Sequence, residues 1–164
     1  MLDLAAIRPA GARRFPGPRA AASRCSWASA PTWRRSSDLS VADDGTARAE
    51  KVVCAVGWGI VVNPDTVVAQ SEGGIVYGLT AALYGDMMIA KGRVVQSNFD
   101  DYPALRIDEM PAVEVHIVNS GEAPGGLCEP GTSAIAPAVT NAIFAAIGKR
   151  LRKLPVNPEL LKRA

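Results

Sequence analysis

The chain has one histidine and three cysteines among its 164 residues. Cys25, Cys54 and Cys128 lie far apart, no Cys-x-x-Cys pair occurs, and His116 has no second histidine to act with. A zinc or iron–sulfur centre built by one chain needs several thiolate or imidazole ligands at close spacing. The sequence therefore predicts no metal site made by this chain alone. The odd number of scattered thiols also excludes a disulfide framework and indicates a reducing compartment.

Long hydrophobic runs are absent as well. No apolar run approaches the roughly 20 residues that a membrane-spanning helix needs, so we predict no membrane span. Arg13-Arg14 resembles a twin-arginine export signal, but no continuous apolar stretch follows it. The pair is interpreted as a chance match.

Charge is unevenly distributed along the chain. Residues 1–37 carry seven arginines and one acidic residue, whereas residues 38–148 carry five basic and fourteen acidic residues. A basic arm is typical of proteins that bind nucleic acid or membrane surfaces, and of targeting peptides. The acidic centre argues against the first two classes, and we predict no nucleic-acid partner. Strongly salt-dependent binding to nucleic acid would favour that alternative instead.

The first 37 residues are rich in Ala, Arg, Pro and Ser and show no apolar periodicity. Such a segment buries too little apolar surface to offset its conformational entropy, which predicts disorder. An organellar transit peptide has the same composition. Translation of GC-rich DNA out of frame also gives this composition. The upstream genomic sequence distinguishes out-of-frame translation from a genuine arm. We divide the chain into a basic arm (1–38), a folded domain (39–157) and a basic tail (158–164).

Patterned sequence begins at Leu39. A strand, an Asp-Asp-Gly-Thr turn and a second strand are predicted first, and Lys91-Gly92 predicts the turn of a later hairpin. The segment "AVEVHIVNS" alternates like a strand and places His116 on the same face as Glu114. This position favours a half-exposed strand residue over a metal ligand.

Two helices are predicted. Asn63 is a suitable N-cap before Pro64 and Asp65, and a buried face follows at helical spacing, formed by Val68, Ser71, Ile75, Leu79 and Ala82. Pro137 is predicted to start the second helix, which Gly148 ends. Its inward residues are predicted to be Val139, Ile143, Ala146 and Ile147. The fold class is therefore α+β, with mixed strands and two main helices.

Two features point to a site. Gly73 and Gly74 lie in the middle of the first helix, where each costs about 1 kcal/mol relative to alanine. Either another group approaches the helix there or the helix breaks. Glu129 lies in the turn sequence "GGLCEPG". It is either a structural loop residue or a catalytic base, and a base would need a buried site that raises its pKa.

Two long stretches carry a family resemblance. They are "VNPDTVVAQSEGGIVYGLTAALYGDMMIAKGRVVQSNFDDYPALRIDEMPAVEVHIV" and "GGLCEPGTSAIAPAVTNAIFAAIGKRLRKLP". Both resemble the C-terminal part of the molybdopterin-binding large subunit of the molybdenum hydroxylases, the xanthine dehydrogenase and aldehyde oxidase family. The nearest branch is the isoquinoline 1-oxidoreductase beta subunit and related aldehyde dehydrogenases. The resemblance extends over residues 39–157, which it identifies as a portion of a molybdopterin-binding domain.

The resemblance implies roles for particular residues. Glu129 matches the family's base, which deprotonates the Mo–OH group. Gln70 matches a residue that contacts the pterin, and Gly73 and Gly74 would let the cofactor approach the helix. Cys128 stands where the family has glycine.

The implied activity is hydroxylation of N-heterocycles or oxidation of aldehydes. The cofactor would be molybdopterin, with [2Fe–2S] clusters on a partner, the iron–sulfur small subunit, and a small-molecule substrate. Because family large subunits are several times longer, we expect a fragment that neither holds the cofactor tightly nor turns over alone. The alternative is a non-catalytic interaction module that completes a cofactor domain on a partner chain. The expected location is cytoplasmic, with the periplasm as the family's alternative.

Overall fold

The computed structural model describes residues 19–28, 32–127 and 129–162. Within these ranges, four strands form the main sheet: β1 (Arg19–Ala28), β2 (Thr32–Val41), β3 (Ala47–Gly59) and β6 (Ala112–Asn119). Two short strands, β4 (Ile89–Ala90) and β5 (Arg93–Val94), pair separately. The helices are α1 (Pro64–Leu83), the single turn α2 (Pro130–Ser133) and α3 (Ile135–Ile147). The predicted α+β class with two main helices is confirmed.

The main sheet is mixed. Its order is β1-β2-β3-β6; β1, β2 and β3 pair antiparallel, whereas β3 and β6 pair parallel. Parallel neighbours need a crossover connection, and α1 lies within the one between β3 and β6. The predicted strand–turn–strand after Leu39 is present, since β2 and β3 flank the turn at Asp43–Thr46.

The sheet differs from the sequence prediction near the N-terminus. The structure describes Arg19–Ala28 and most of Thr32–Val41 as paired strands, where composition predicted disorder. Composition counts the apolar surface a segment can bury, but it does not count backbone hydrogen bonds along an open strand edge. Here β2 pairs with β3, and β1 pairs with β2. The expectation for residues 1–18 lies outside the described residues, and the boundary at residue 38 stays a prediction.

One hydrophobic core joins the sheet to the two main helices. Alternate residues of β3 face it, as period-2 alternation requires. They meet apolar residues of α1 and α3, and the chain's end covers one side with Val156 and Leu161. The buried members from the three elements include Val52, Cys54, Val56 and Trp58 from β3, Ile75 and Leu79 from α1, and Ile135, Val139 and Ile143 from α3.

The start of α1 is as predicted. The Asn63 side-chain oxygen accepts hydrogen bonds from the backbone N–H groups of Asp65 (3.0 Å) and Thr66 (3.3 Å), and Pro64 occupies the first turn. The predicted inward face is wrong at one position. Val67 is buried, whereas Val68 is only half-buried, because the buried face continues toward the N-terminus in steps of four residues from Ile75 through Ser71 to Val67.

The second helix begins earlier than predicted. α3 starts at Ile135, and Pro137 lies within its first turn, where a missing N–H has no intrahelical partner. The predicted start at Pro137 is therefore wrong by two residues. Gly148 ends the helix in the left-handed conformation (φ 70°), as predicted. Ala138 and Ala142 are buried, while Ala146 and Ile147 are half-buried.

One described stretch, Pro130–Ile147, is long and apolar enough by composition to cross a membrane. It comprises α2 and α3, with a break at Ala134. Ile135, Val139 and Ile143 have no solvent exposure because they pack in the core. Core packing accounts for part of the apolar composition of this stretch, of which 39% is buried.

The predicted hairpin turn and strand face are also observed. Lys91 (φ 51°) and Gly92 (φ 76°) both have positive φ, the geometry of a type I′ turn between β4 and β5. His116 is exposed on β6. On the same face, Glu114 forms an ion pair with Lys51 of β3 at 2.5 Å.

A long loop, residues 97–111, is fastened against α1. The Thr80 hydroxyl oxygen accepts a hydrogen bond from the Leu105 N–H at 3.3 Å. The Tyr84 hydroxyl donates to Glu109 Oε1 at 2.5 Å, and Glu109 Oε2 accepts from the Arg106 N–H. Burial, and then this carboxylate, raise the pKa of Tyr84 to about 12. The bond from Tyr84 holds the pKa of Glu109 below its ordinary value.

Replacing Tyr84 with phenylalanine tests this attachment. We expect a loss of about 1 kcal/mol in the free energy of unfolding at pH 8, because the Glu109 carboxylate loses a donor. A raised tyrosine pKa contributes stability below pH 10 that is lost as the pH rises toward about 12. Ultraviolet titration should show a tyrosine step near pH 12 that Y84F removes. A late step that survives in Y84F would contradict the assignment.

Candidate functional site

The central feature is a close backbone contact between α1 and α2. A Cβ placed at Gly74 would lie 2.9 Å from Gly131 Cα, and one at Gly131 would lie 2.8 Å from Gly74 Cα. Both distances are shorter than real Cβ atoms adopt, and the opposing atoms are backbone. The Thr132 hydroxyl adds a hydrogen bond to the Gly74 carbonyl at 3.3 Å. The two elements can therefore meet only because both positions are glycine.

The next turn of α1 extends this contact. A Cβ at Gly78 would lie 2.5 Å from the Thr132 carbonyl oxygen and 2.4 Å from Ile135 Cγ2. Gly74 and Gly78 are four residues apart and so share one face of the helix. Glycine is required at both positions by the approach of α2 and the start of α3.

Glu129 is the N-cap of α2. Its backbone carbonyl accepts hydrogen bonds from the N–H groups of Thr132 (2.9 Å) and Ser133 (3.2 Å), and Pro130 follows in the first turn. The main chain of Glu129 is thereby fixed. Its side chain is exposed and forms no hydrogen bond with any other described residue. The carboxylate is consequently free to act on a group outside this chain. Cys128 lies outside the described residues.

Gln70 lies about one turn before this contact on α1, and Gly73 is the residue next to Gly74. Gln70 and Gly73 are exposed. Apart from its own helix, no atom lies within 4 Å of a Cβ placed at Gly73. The Gln70 amide forms no hydrogen bond within the described part of the chain. Gly73 and Gly74 lie three and four residues after Gln70, so each is a neighbour of Gln70 on the surface of α1.

The structure thus brings the four predicted site residues into one neighbourhood. Gln70, Gly73 and Gly74 lie along α1, and the Gly74–Gly131 contact places the turn that begins at Glu129 beside them. The structure also gives Gly74 a role the sequence did not: α2, rather than a cofactor, accounts for the absence of a side chain. A cofactor contact by Gly74 stays a prediction.

Sequence reasoning missed Gly78, Gly131 and Thr132. A signal was present, because Gly74-x-x-x-Gly78 on a helix indicates close approach of another element along one face. The partner of that face, Gly131, could not be found from local pattern, since it lies more than 50 residues away in the chain.

A groove of about 620 Å³ runs along the outer face of α1 and reaches Gly73. The loop 97–111 forms its opposite wall. Its lining is mostly apolar and aromatic, with Glu72 as the charged member, and includes Ala69, Val76, Tyr77, Phe99, Tyr102 and Met110. Of the four proposed site residues, Gly73 therefore adjoins an open apolar surface.

No three His, Cys, Asp or Glu residues lie close enough to hold a metal ion within residues 19–28, 32–127 and 129–162. The side chains available at the site are one carboxylate and one amide beside an unobstructed glycine. This set suits recognition of a polar ring edge and transfer of a proton.

Comparison with known proteins assigns these elements to a family. Residues 41–111 match the molybdopterin cofactor-binding domain. The chain is 43% identical over 117 residues to the isoquinoline 1-oxidoreductase subunit beta of Brevundimonas diminuta, covering 71% of this chain and 15% of that protein. It is 40% identical over 130 residues to the membrane-bound aldehyde dehydrogenase [pyrroloquinoline-quinone] of Gluconacetobacter polyoxogenes, covering 78% and 17%.

Solved structures share the fold. Quinoline 2-oxidoreductase from Pseudomonas putida 86 matches with a TM-score of 0.68 at 21% identity, over 79% of this chain and 18% of that one. Aldehyde oxidoreductase from Desulfovibrio gigas matches with a TM-score of 0.70 at 19% identity, over 80% and 15%. The chain therefore spans less than a fifth of the length of these proteins.

The two adjacent glycines of α1 provide a matched test of the site's geometry. Gly74→Ala should lower the free energy of unfolding by about 1–3 kcal/mol, because its methyl group meets the Gly131 backbone. Gly73→Ala should raise it by up to about 1 kcal/mol, because alanine favours the helix and meets nothing. Urea denaturation measures both changes. Equal effects at the two positions would show that α2 does not approach α1 at Gly74.

Proposed function

Because the chain belongs to the molybdenum hydroxylase family and carries its molybdopterin cofactor-binding domain, we propose that it forms one wall of the pterin site and supplies the catalytic base. The observation that supports this most directly is the α1–α2 contact. It brings the turn that begins at Glu129 against α1 at Gly74, in the part of the helix that also carries the exposed residues Gln70 and Gly73.

The residues fit a pterin. At Gly73 the helix surface is unobstructed, so a flat ring can approach the backbone. The Gln70 amide both donates and accepts, which suits a pterin edge carrying donors and acceptors. Neither Gln70 nor Glu129 is engaged by another described side chain. In this proposal Gly74 contributes mainly by admitting α2, which fixes the position of Glu129.

In the proposed mechanism Glu129 accepts a proton. When bound, the molybdenum centre supplies the Lewis-acid and redox chemistry. The Glu129 carboxylate takes up the proton released as water is activated, and the α2 turn holds it in place through its backbone. The carboxylate is exposed in this chain, so a covering polypeptide would be needed to exclude water and tune its basicity.

The complete activity needs more protein than this chain. It spans 15% and 17% of the two relatives, so substrates and partners are proposed by analogy. We assign the substrate class as N-heterocycles or aldehydes and the electron acceptor as [2Fe–2S] clusters on a small subunit. One relative's name gives pyrroloquinoline quinone; we assign molybdopterin here because residues 41–111 match that domain.

The second candidate function is a non-catalytic interaction module that completes a cofactor domain on a partner chain. The exposed apolar groove beside Gly73 favours it. The two candidates differ over Glu129: in the module the carboxylate has no role in turnover, whereas in the first proposal turnover depends on it.

The isolated chain tests the first part of this account. Purified from cells that make the cofactor, it should contain far less than stoichiometric molybdenum and should not oxidise aldehydes or N-heterocycles with an artificial dye. We expect this because a chain that forms one wall of the site cannot enclose the cofactor, which would be exposed to solvent. Elemental analysis and a dye-reduction assay provide the measurement. Stoichiometric molybdenum together with turnover in the isolated chain would refute the proposal.

Two variants test the roles in an assembled enzyme. The chain would be combined with the relative's large subunit lacking its matching segment, and with the small subunit. Glu129→Gln should keep pterin and molybdenum but lower kcat by about 10²–10⁴-fold, the usual contribution of a general base. Gly73→Ala should lower pterin content, measured by fluorescence of the oxidised pterin, because its methyl group blocks ring approach. Normal turnover by Glu129→Gln would favour the non-catalytic module.

A further inference from the structure

We propose that the outer face of α1 and the loop facing it form a docking surface for the remaining polypeptide of a molybdenum hydroxylase large subunit. This docking surface is defined by Tyr77, Phe99, Ile107 and Met110. The inference rests on the proposed function, since it identifies the partner that would cover the site.

Exposed apolar side chains are concentrated in this part of the chain. Phe99 and Ile107 are 93% and 94% exposed, and Tyr77 is 72% exposed. The β4–β5 hairpin adds exposed Met88 and Ile89. Tyr77, Phe99 and Met110 line one groove, and exposed apolar surfaces of this kind mark interaction sites. Aromatic residues and methionine are also the types enriched at the centres of protein interfaces.

The docking surface is pre-formed by hydrogen bonds between the loop and α1. The groove between α1 and the loop measures about 620 Å³. The hydrogen bonds from Tyr84 to Glu109 and from Leu105 to Thr80 fasten its far wall to α1. A pre-formed groove reduces the ordering entropy that an incoming side chain or segment would otherwise have to offset.

The relatives identify the occupant. The docking surface falls within residues 41–111, the stretch that matches the cofactor-binding domain. The matching region makes up only 15% of the isoquinoline relative, so in that protein it belongs to a much longer polypeptide. The groove also reaches Gly73, so a polypeptide seated on it would border the proposed cofactor wall and exclude water there.

A binding measurement without cofactor tests this inference. The probe is the Brevundimonas diminuta beta subunit with its matching segment deleted, immobilised and exposed to this chain in solution. The positive control is the deleted segment added back as a separate polypeptide. Wild-type chain should bind, and Phe99→Asp and Ile107→Asp should each weaken binding by at least about tenfold, since each places a charge in an apolar interface. Both side chains are almost fully exposed, so thermal unfolding should be unchanged.

Leu160→Asp is the matched control, because Leu160 is an exposed apolar residue (57%) in the C-terminal tail outside the docking surface. It should bind like wild type. Binding by the control segment but not by this chain would overturn the inference, as would undiminished binding of both aspartate variants. Sedimentation tests whether the wild-type chain associates with itself. Self-association that Phe99→Asp abolishes would overturn the inference, because the docking surface would then bind a second copy of this chain.

The docking surface and the proposed function can be rejected independently of each other. Glu129→Gln should dock normally because its side chain lies outside the docking surface, yet it should lose turnover in the assembled enzyme. If both aspartate variants at Phe99 and Ile107 dock like wild type and the assembled enzyme retains pterin normally, the docking surface is wrong. The proposed cofactor role is then unaffected.

Discussion

The backbone contact between Gly74 and Gly131 is the constraint on which the site depends. Two elements separated by more than 50 residues in sequence meet there, closer than any side chain would permit. The contact sets the start of α2 against the middle of α1, and Gly78 lets the start of α3 follow. Because α3 then packs in the core with Ile135 and Val139, the position of Glu129 is tied to the packing of the whole domain.

The polar groups of the site are left free by the same arrangement. Gln70 and Glu129 are exposed on adjacent elements, and Gly73 leaves the helix surface between them open. Neither side chain forms a hydrogen bond or an ion pair within the described part of the chain. This arrangement is consistent with half of a binding site whose other half belongs to another polypeptide, and the apolar groove beside Gly73 is consistent with a surface on which that polypeptide packs.

Local chemistry made several elements predictable from sequence. The Asn63 cap, the Lys91-Gly92 turn and the Gly148 terminus each depend on residues that are adjacent in the chain. The errors arose where tertiary contacts decide. Val67 rather than Val68 is buried, and α3 begins before Pro137, because packing in the core decides which residues of a helix face inward and where the helix begins. The strand β1 and the part of β2 before Leu39 were missed because backbone pairing between strands is not visible in composition.

The site was predictable in part. Glu129, Gln70 and the two glycines were identified from sequence through family resemblance, and the residues alone left Glu129 undecided between a base and a loop residue. The long-range partner of Gly74 could not be predicted from sequence, since it depends on how α2 folds back onto α1. The most direct test is a crystal structure of the assembled complex with its cofactor. The account predicts the pterin edge within hydrogen-bonding distance of the Gln70 amide and the Glu129 carboxylate facing the molybdenum; a cofactor bound away from α1 would contradict it.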